Sequence, residues 1–460
     1  MAAVEPSLEM LRTASTDNEK IAALLLIAKV ARAGEMSEVE RRQIFDAVGF
    51  SFVNRLLDTE DEAGGSSDVP NQYQELAVTL LACFATDPQL ATHSEVTSKV
   101  PLLLKFISCR SERDGLCQDC LQLLLSLTAS PKGVHLLLSN GSLQTVASQL
   151  AEREGGEGVR ESLRLLLERL LGQEAVVIRY GEQVEEMVGM LASGFKHRQD
   201  EVKFDLCRDL CSVLETLGRV SMVCSNERWM RDVASGLFDI LSSKISGEMR
   251  ASALLLAASL CSQCGADWTL VTGNSQLFRL LANLASLEMR LCLEGREGLE
   301  SLQSDLLCSC CIILESSVTF TAVQTSSCSA VTEEDILQLH SAFTEAFKST
   351  TDFLVSLPPP LPHHNPLVIA IVRVLGAWLA EETLAVSSKL YNLLPKLLEM
   401  CQSHLHENKG GVEKCLENPL MFLLPGLSHL VAEDTARAAV KTALPQLLVD
   451  FMTALYGTSM

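Results

Sequence analysis

TDNEKIAALLLIAKVARAG, residues Thr16–Gly34, carries in one stretch the signals that decide the fold class. Thr16 and Asp17 offer side-chain oxygens to the unpaired N–H groups of a helix start. Ile21, Leu24, Leu25 and Ala28 follow at i, i+3, i+4 and i+7, the spacing that gathers apolar side chains on one face of a helix. Gly34 supplies the stop, so a helix is predicted through about Arg32. The device recurs outward from here. Ser37 with Glu40 three residues on forms a capping box before Ile44, Phe45 and Val48, and that helix should end near Gly49. A loop at Gly64–Pro70 precedes a predicted helix over Gln72–Ala85. Asp87–Pro88 and Ser130–Pro131 each pair a capping side chain with proline at the first helical position, the second before Val134–Leu138.

Further apolar stripes run over Leu116–Leu127, Val159–Leu171, Val202–Leu217, Val233–Leu241, Met249–Cys261, Leu277–Leu287, Asp305–Leu314, Glu333–Leu357, Leu367–Ala380, Ala385–Gln402 and Ala436–Tyr456. Helices in pairs or triplets every ~40–47 residues are the armadillo or HEAT arrangement, although no strict repeat signature is present and the period rests on element spacing. The fold class expected is therefore all-α, an armadillo/HEAT-like α-solenoid. Composition agrees: 47% of residues are hydrophobic and only 5% aromatic, so aliphatic side chains must fill the core. A strand sandwich would want β-branched and aromatic residues instead. No long polar linker divides the 460 residues. The organisation expected is a short tail at 1–4, one continuous repeat domain over 5–456, and loops at 321–331, 357–366 and 407–418. The apolar stripe of Ala436–Tyr456 meets no polar capping repeat, so a truncated or alternatively spliced product is expected.

With 37 Lys and Arg against 58 Asp and Glu, the formal charge is −21, which repels phosphate backbones and anionic lipid headgroups. Nucleic acid is excluded as the expected partner; basic protein segments are favoured. Sixteen cysteines without a secretory signal point to a reducing compartment, where thiols serve as small buried hydrophobes. No uninterrupted apolar run reaches the ~18–20 residues needed to span a bilayer. The nearest, Pro366–Ala380, carries Arg373 in its middle and is read as a buried helix.

Catalytic and metal signatures are sparse. Cys117–Cys120 and Cys261–Cys264 are too far apart for a zinc site, whose pairs normally close over ~15–20 residues, and they are read with Cys308, Cys310 and Cys311 as core thiols. Arg110 and Arg113 are the cations nearest the first pair that would stabilise a thiolate. His404 and His406 cannot share a helix face, and a site built from His404, His406, Cys401 and Cys415 would be the route to an enzyme. His363–His364 follow a proline run and are read as exposed and unliganded. No metal or cofactor is expected. Gly426–Leu430 lacks the second glycine of a nucleophile elbow, and Gly155–Gly158 lacks the lysine of a phosphate loop and is read as a flexible turn. Leu121–Leu125 and Leu394–Leu398 match receptor-binding leucine boxes but are read as core. Pro358–Pro362 is read as a rigid linker rather than a polyproline ligand. Trp378 is read as packing, with Glu381 and Glu382 at the wet end of its helix.

RRQIFDAVGFSFVNRLL, Arg41–Leu57, has two readings: a basic amphipathic helix of the calmodulin-target kind, or two core helices meeting at Gly49. Together with VRVLGAWLAEET, Val372–Thr383, it resembles the neurochondrin family. Shorter echoes are Leu80–Phe84, Asp87–Leu90, Lys203–Cys207 and Ala266–Trp268. The resemblance extends in patches from about Ser7 to Leu448. It implies an armadillo-like scaffold without catalysis, associated with neurite outgrowth and synaptic plasticity. It also implies negative regulation of calcium/calmodulin-dependent protein kinase II signalling and binding to cytoplasmic tails of G-protein-coupled receptors. The implied location is cytosol, dendrites and postsynapse. Family members can carry a palmitoylated N-terminal cysteine pair that leads to endosomal membrane; here the first cysteine is Cys83, expected inside a helix, so a mostly cytosolic form is expected. The alternative function is a generic solenoid transport or assembly factor with no neuronal role.

Overall fold

A computed structural model describes residues 5–34, 36–58, 69–109, 114–152, 156–218, 227–273, 275–294, 303–324, 331–382, 388–407 and 417–457. Among these the regular structure is α-helix with one short 3₁₀ turn and no strand. The helices group into two compact units, residues 1–194 with 198–202, and residues 195–197 with 203–460, where the sequence pattern suggests one continuous domain.

Local chemistry sets the helix starts. Thr16 caps Asp17–Arg32 and Ser37 caps Glu38–Val48, each by accepting from the N–H three residues on while a glutamate reaches back. Asp87 and Ser130 cap Pro88–Ala91 and Pro131–Ser139 as expected. Thr332 forms a further capping box with Asp335, and Asn365 caps Pro366–Glu381. Gly49 sits at φ +67°, a left-handed value that costs a side-chain-bearing residue, and there Glu38–Val48 hands over to Phe50–Leu57. Ile44, Phe45, Val48, Phe52, Val53 and Leu56 are buried, so the two-core-helix reading of Arg41–Leu57 holds. Its arginines serve the fold: Arg42 pairs with Asp87 at 2.7 Å and Arg55 with Asp17 at 3.2 Å.

In the first unit, Asp17–Arg32, Val69–Ala85, Asp114–Leu127 and Glu157–Leu171 pack in succession as one layer. Val100–Ser108 and Ser142–Glu152 pack on one another and back against it. Polar side chains link successive helices: Arg32 Nη2 donates to Thr79 Oγ1 at 2.8 Å, and Gln118 Nε2 to Ser162 Oγ at 2.9 Å. Helices of this layer after the first begin roughly 40–47 residues apart, the armadillo or HEAT spacing.

The second unit alternates between two layers along the chain. Gly247–Cys264, Ser304–Gln324, Pro366–Glu381 and Leu420–Leu430 form one; Glu227–Ser242, Gln276–Leu293, Glu333–Ser356, Ser388–Glu407 and Ala443–Gly457 form the other. Longer helices stretch the spacing here to more than fifty residues in most steps, wider than expected. Each unit is thus an armadillo-like α-solenoid stack in which a helix buries its apolar face on neighbours near in sequence.

Several boundaries differ from the sequence reading. Val69–Ala85 begins inside the expected loop at Gly64–Pro70, whose residues 64–68 lie outside the described part. Thr321–Gln324 finish the helix Ser304–Gln324 instead of opening a loop, and 325–330 lie outside. Of 407–418, Glu407 ends a helix, 408–416 lie outside and Asn418 is fully buried; the tail at 1–4 lies outside too. The single helix expected over Ala436–Tyr456 is two, Asp434–Val440 and Ala443–Gly457, bent by 59°. Pro445 causes the break, because its ring clashes with the carbonyl four residues back and offers no N–H to it. Leu25, expected in the core stripe, is 55% exposed, whereas Ala23, Leu24, Ile27 and Ala28 are buried. At 100° per residue four consecutive apolar residues cannot all face inward. Finally, among the described residues Ser304–Val323, not Pro366–Ala380, is a single helix long and apolar enough to cross a bilayer, and the bent pair Asp434–Val440 and Ala443–Leu455 passes the same test when taken together. Half of Ser304–Val323 is buried among Gly247–Cys264, Gln276–Leu293 and Pro366–Glu381.

Candidate functional site

Three successive helices of one layer in the second unit, Gly247–Cys264, Ser304–Gln324 and Pro366–Glu381, enclose a groove of about 620 Å³. Its apolar lining comes from Ile312, Phe320, Val323, Pro366, Ile369 and Ala370. Val323 is 66% exposed, a large apolar side chain left facing solvent. Polar groups converge on it from two of the sequence words singled out above. Ala266 and Asp267 come from the turn after Gly247–Cys264, and Arg373 comes from the VRVLGAWLAEET helix. Arg373 Nε donates to Glu315 Oε1 at 2.8 Å, and its guanidinium lies 5.0 Å from the Phe422 ring centre. With Arg373 balanced by Glu315, Asp267 leaves the groove net acidic, a character suited to a cationic ligand.

Burial disfavours the thiolate form of the groove's cysteines. Burial pushes the Cys261 thiol up to about 12 despite the Trp268 indole N–H, which donates to its Sγ at 3.4 Å. Burial raises Cys308 and Cys311 as well. A thiol held this far above neutrality carries almost no thiolate. In the first unit, burial and then the neighbouring Cys117 raise Cys120, while Arg110 and Arg113 lie outside the described residues.

Of the four residues that would suggest an enzyme, the three described ones, Cys401, His404 and His406, do not form one group of ligand atoms. His404 is buried beside Asn418, its pKa lowered by burial and by His363 and His364; His406 pairs with Gln402 at 2.8 Å. Cys401 is a buried thiol at about 12, and Cys415 lies outside the described residues. Gly426–Leu430 is helical. Of Gly155–Gly158, Gly155 lies outside the described residues, while Gly156 precedes the helix Glu157–Leu171 and Gly158 lies within it, so the described part opens a helix. Leu121, Leu124, Leu394, Leu397 and Leu398 are buried. Trp378 packs face to face on Phe347 at 4.7 Å, but Glu382 is not at a wet end: only Glu381 is exposed, and the buried Glu382 carboxylate meets His340 Nε2 at 2.6 Å.

One group of potential metal ligands is brought together among the described residues, and sequence reading missed it: His363, His364 and Glu407. The two histidines precede Pro366–Glu381, and Glu407 closes Ser388–Glu407. No spacing signal links residues that meet only because two helices of opposite layers bring their ends together.

A family model described as Neurochondrin matches residues 1–458. Neurochondrin of Gallus gallus is 33% identical over 99% of this chain and 67% of its own length; that of Rattus norvegicus is 34% identical over 97% and 63%. The Drosophila melanogaster Neurochondrin homolog is 27% identical over 94% and 62%. The chain thus spans about two thirds of the length of these curated relatives. Among solved structures, an engineered protein overlays with TM-score 0.43 at 14% identity, covering 97% of this chain and 99% of that one. A chain from work on a phosphorylation switch controlling the interaction between cadherin and beta-catenin overlays with TM-score 0.45 at 15% identity, covering 99% and 93%.

Proposed function

The chain belongs to the neurochondrin family, and from that premise we propose that it is a non-catalytic adaptor that binds basic segments of other proteins in its acidic groove. The observation that carries this reading is the family match across nearly the whole chain. Two features support it: the groove with Asp267 and Glu315 at its edge, and the formal charge of −21. The partners that family membership brings into view are the calcium/calmodulin-dependent protein kinase II pathway, which the chain restrains, and basic cytoplasmic tails of G-protein-coupled receptors. Neurite outgrowth and synaptic plasticity are the corresponding setting, in the cytosol of dendrites and postsynapse.

Stopped-flow binding of a basic amphipathic receptor-tail peptide at several ionic strengths tests it. Raising salt from 0.1 M to 1 M shortens the Debye length from ~10 Å to ~3 Å. The association rate should fall steeply while the dissociation rate changes little. Asp267→Asn should lower the association rate at low salt. A salt-insensitive association rate would overturn the electrostatic reading and leave the acidic surface a solubility device.

A further inference from the structure

The turn before Pro366–Glu381 and the C-terminal end of Ser388–Glu407 place three metal-binding side chains at one point. His363 Nε2 lies 3.3 Å from Glu407 Oε2, and His364 Nε2 is hydrogen-bonded to the same oxygen. The three ligand atoms all lie within 4.8 Å of one another. His363 Nε2 is closed off from solvent and has no hydrogen-bond partner of acceptable geometry. A shielded polar nitrogen left in this state is unfavourable, and coordination would satisfy it.

We propose that His363, His364 and Glu407 form a binding site for a zinc-like divalent transition-metal ion, with both Nε2 atoms and one Glu407 oxygen as ligands. Zinc takes imidazole nitrogen and carboxylate oxygen at ~2.0–2.2 Å in a tetrahedron, which sets ligand atoms roughly 3.4 Å apart. The His363–Glu407 separation already has that value, the widest separation has to shrink by at most about 1.4 Å, and the 2.5 Å His364–Glu407 contact has to open by about 0.9 Å. His364 and Glu407 can supply the movement, since their side chains are 62% and 55% exposed; the same exposure gives an ion its way in. Two nitrogens and one oxygen select zinc-like ions over calcium and magnesium, which require all-oxygen shells. The fourth tetrahedral position is left for water or a partner's side chain.

The site has a mechanical consequence in the fold. Lys396, on the same helix as Glu407, donates to the carbonyls of Val355 and Leu357 at 2.8 and 2.9 Å and so fixes the start of the proline-rich connection. A metal ion on His363 and His364 would fix its end to the last turn of that helix. The connection between Glu333–Ser356 and Pro366–Glu381 would then be clamped at both ends, with metal availability controlling one clamp. This does not depend on the adaptor reading.

Calorimetric titration of the full chain with zinc in a thiol-free reductant tests the assignment. One ion per chain is expected, with micromolar affinity that a millimolar excess of magnesium or calcium does not abolish. H364A and E407Q should each weaken binding by at least about tenfold, since even outer-shell changes cost 10–100-fold at metal sites. H429A, which changes an exposed histidine elsewhere, should bind as the parent does. Helical circular dichroism should be the same in all four proteins. Cobalt bound in place of zinc should show no thiolate charge-transfer band. Absence of stoichiometric binding, equal affinity in parent, H364A and E407Q, or a thiolate band would each overturn the proposal.

Discussion

Arg42 and Asp87 show how single side chains hold the first unit. Arg42 Nε donates to Asp87 Oδ2 at 2.7 Å, while the Asp87 carboxylate also accepts from the Gln89 N–H at 2.9 Å and caps Pro88–Ala91. The Arg42 hydrogen bond is the first cause that holds the Asp87 carboxyl below its usual 3.8, working against the cost of burial. A carboxyl whose folded value is depressed stabilises the protein above its unfolded value, and that contribution is lost as pH falls through the folded one. Arg42→Ala should therefore lower the melting temperature at pH 7. The gap from the parent should begin to close as pH falls below about 4, the unfolded value, and go on closing until pH passes below the depressed folded value, where Asp87 takes up a proton in both proteins. Thermal melts followed by circular dichroism between pH 7 and 3 measure this; a constant gap would show that Arg42 acts through packing alone.

Among the elements, Pro366–Glu381 and Leu420–Leu430 approach so closely that each needs glycine where they touch. A Cβ on Gly376 would stand 2.4 Å from the Phe422 carbonyl oxygen, and one on Gly426 would stand 2.5 Å from Leu379 Cβ. Backbone cannot yield as a flexible side chain does, so the helices would have to separate and lose contact along their length. Gly376→Val should cost about 1–3 kcal/mol, the usual range for overpacking. Gly247→Ala, which meets nothing within 4 Å, should leave stability close to the parent's. Urea unfolding of the two variants decides it; equal midpoints would mean that the helix pair adjusts without loss.

For the whole molecule, the cysteines set the response to alkali. Burial pushes Cys211 up to about 11 and Cys261 and Cys401 up to about 12, while an unfolded thiol titrates near the ordinary 9.0. Between those values the folded chain holds protons that the unfolded chain has released. Stability contributed by these thiols is therefore present below pH 9 and lost as pH rises toward 12. The melting temperature should fall steadily above pH 9, and a C261A/C401A variant, though less stable at pH 7 through lost packing, should show a shallower fall. Parallel slopes in the two proteins would remove the thiols as the cause.

The sequence by itself determined where most helices start, that they are helices, and to which family the chain belongs. Caps such as Thr16, Ser37 and Ser130 and stripes at 3.6-residue spacing act within a turn or two, so their outcome is local. Only the tertiary structure decided which face each helix buries. Leu24 and Leu25 are adjacent leucines in one apolar run, yet one is core and the other exposed, because the choice depends on where Val69–Ala85 lies. The same holds for Glu382, drawn inside by His340 forty-two residues away, and for the groove that joins Asp267 to Arg373. It holds most plainly for His363, His364 and Glu407. Contacts between helix ends distant in sequence depend on how the layers stack, which periodicity does not encode.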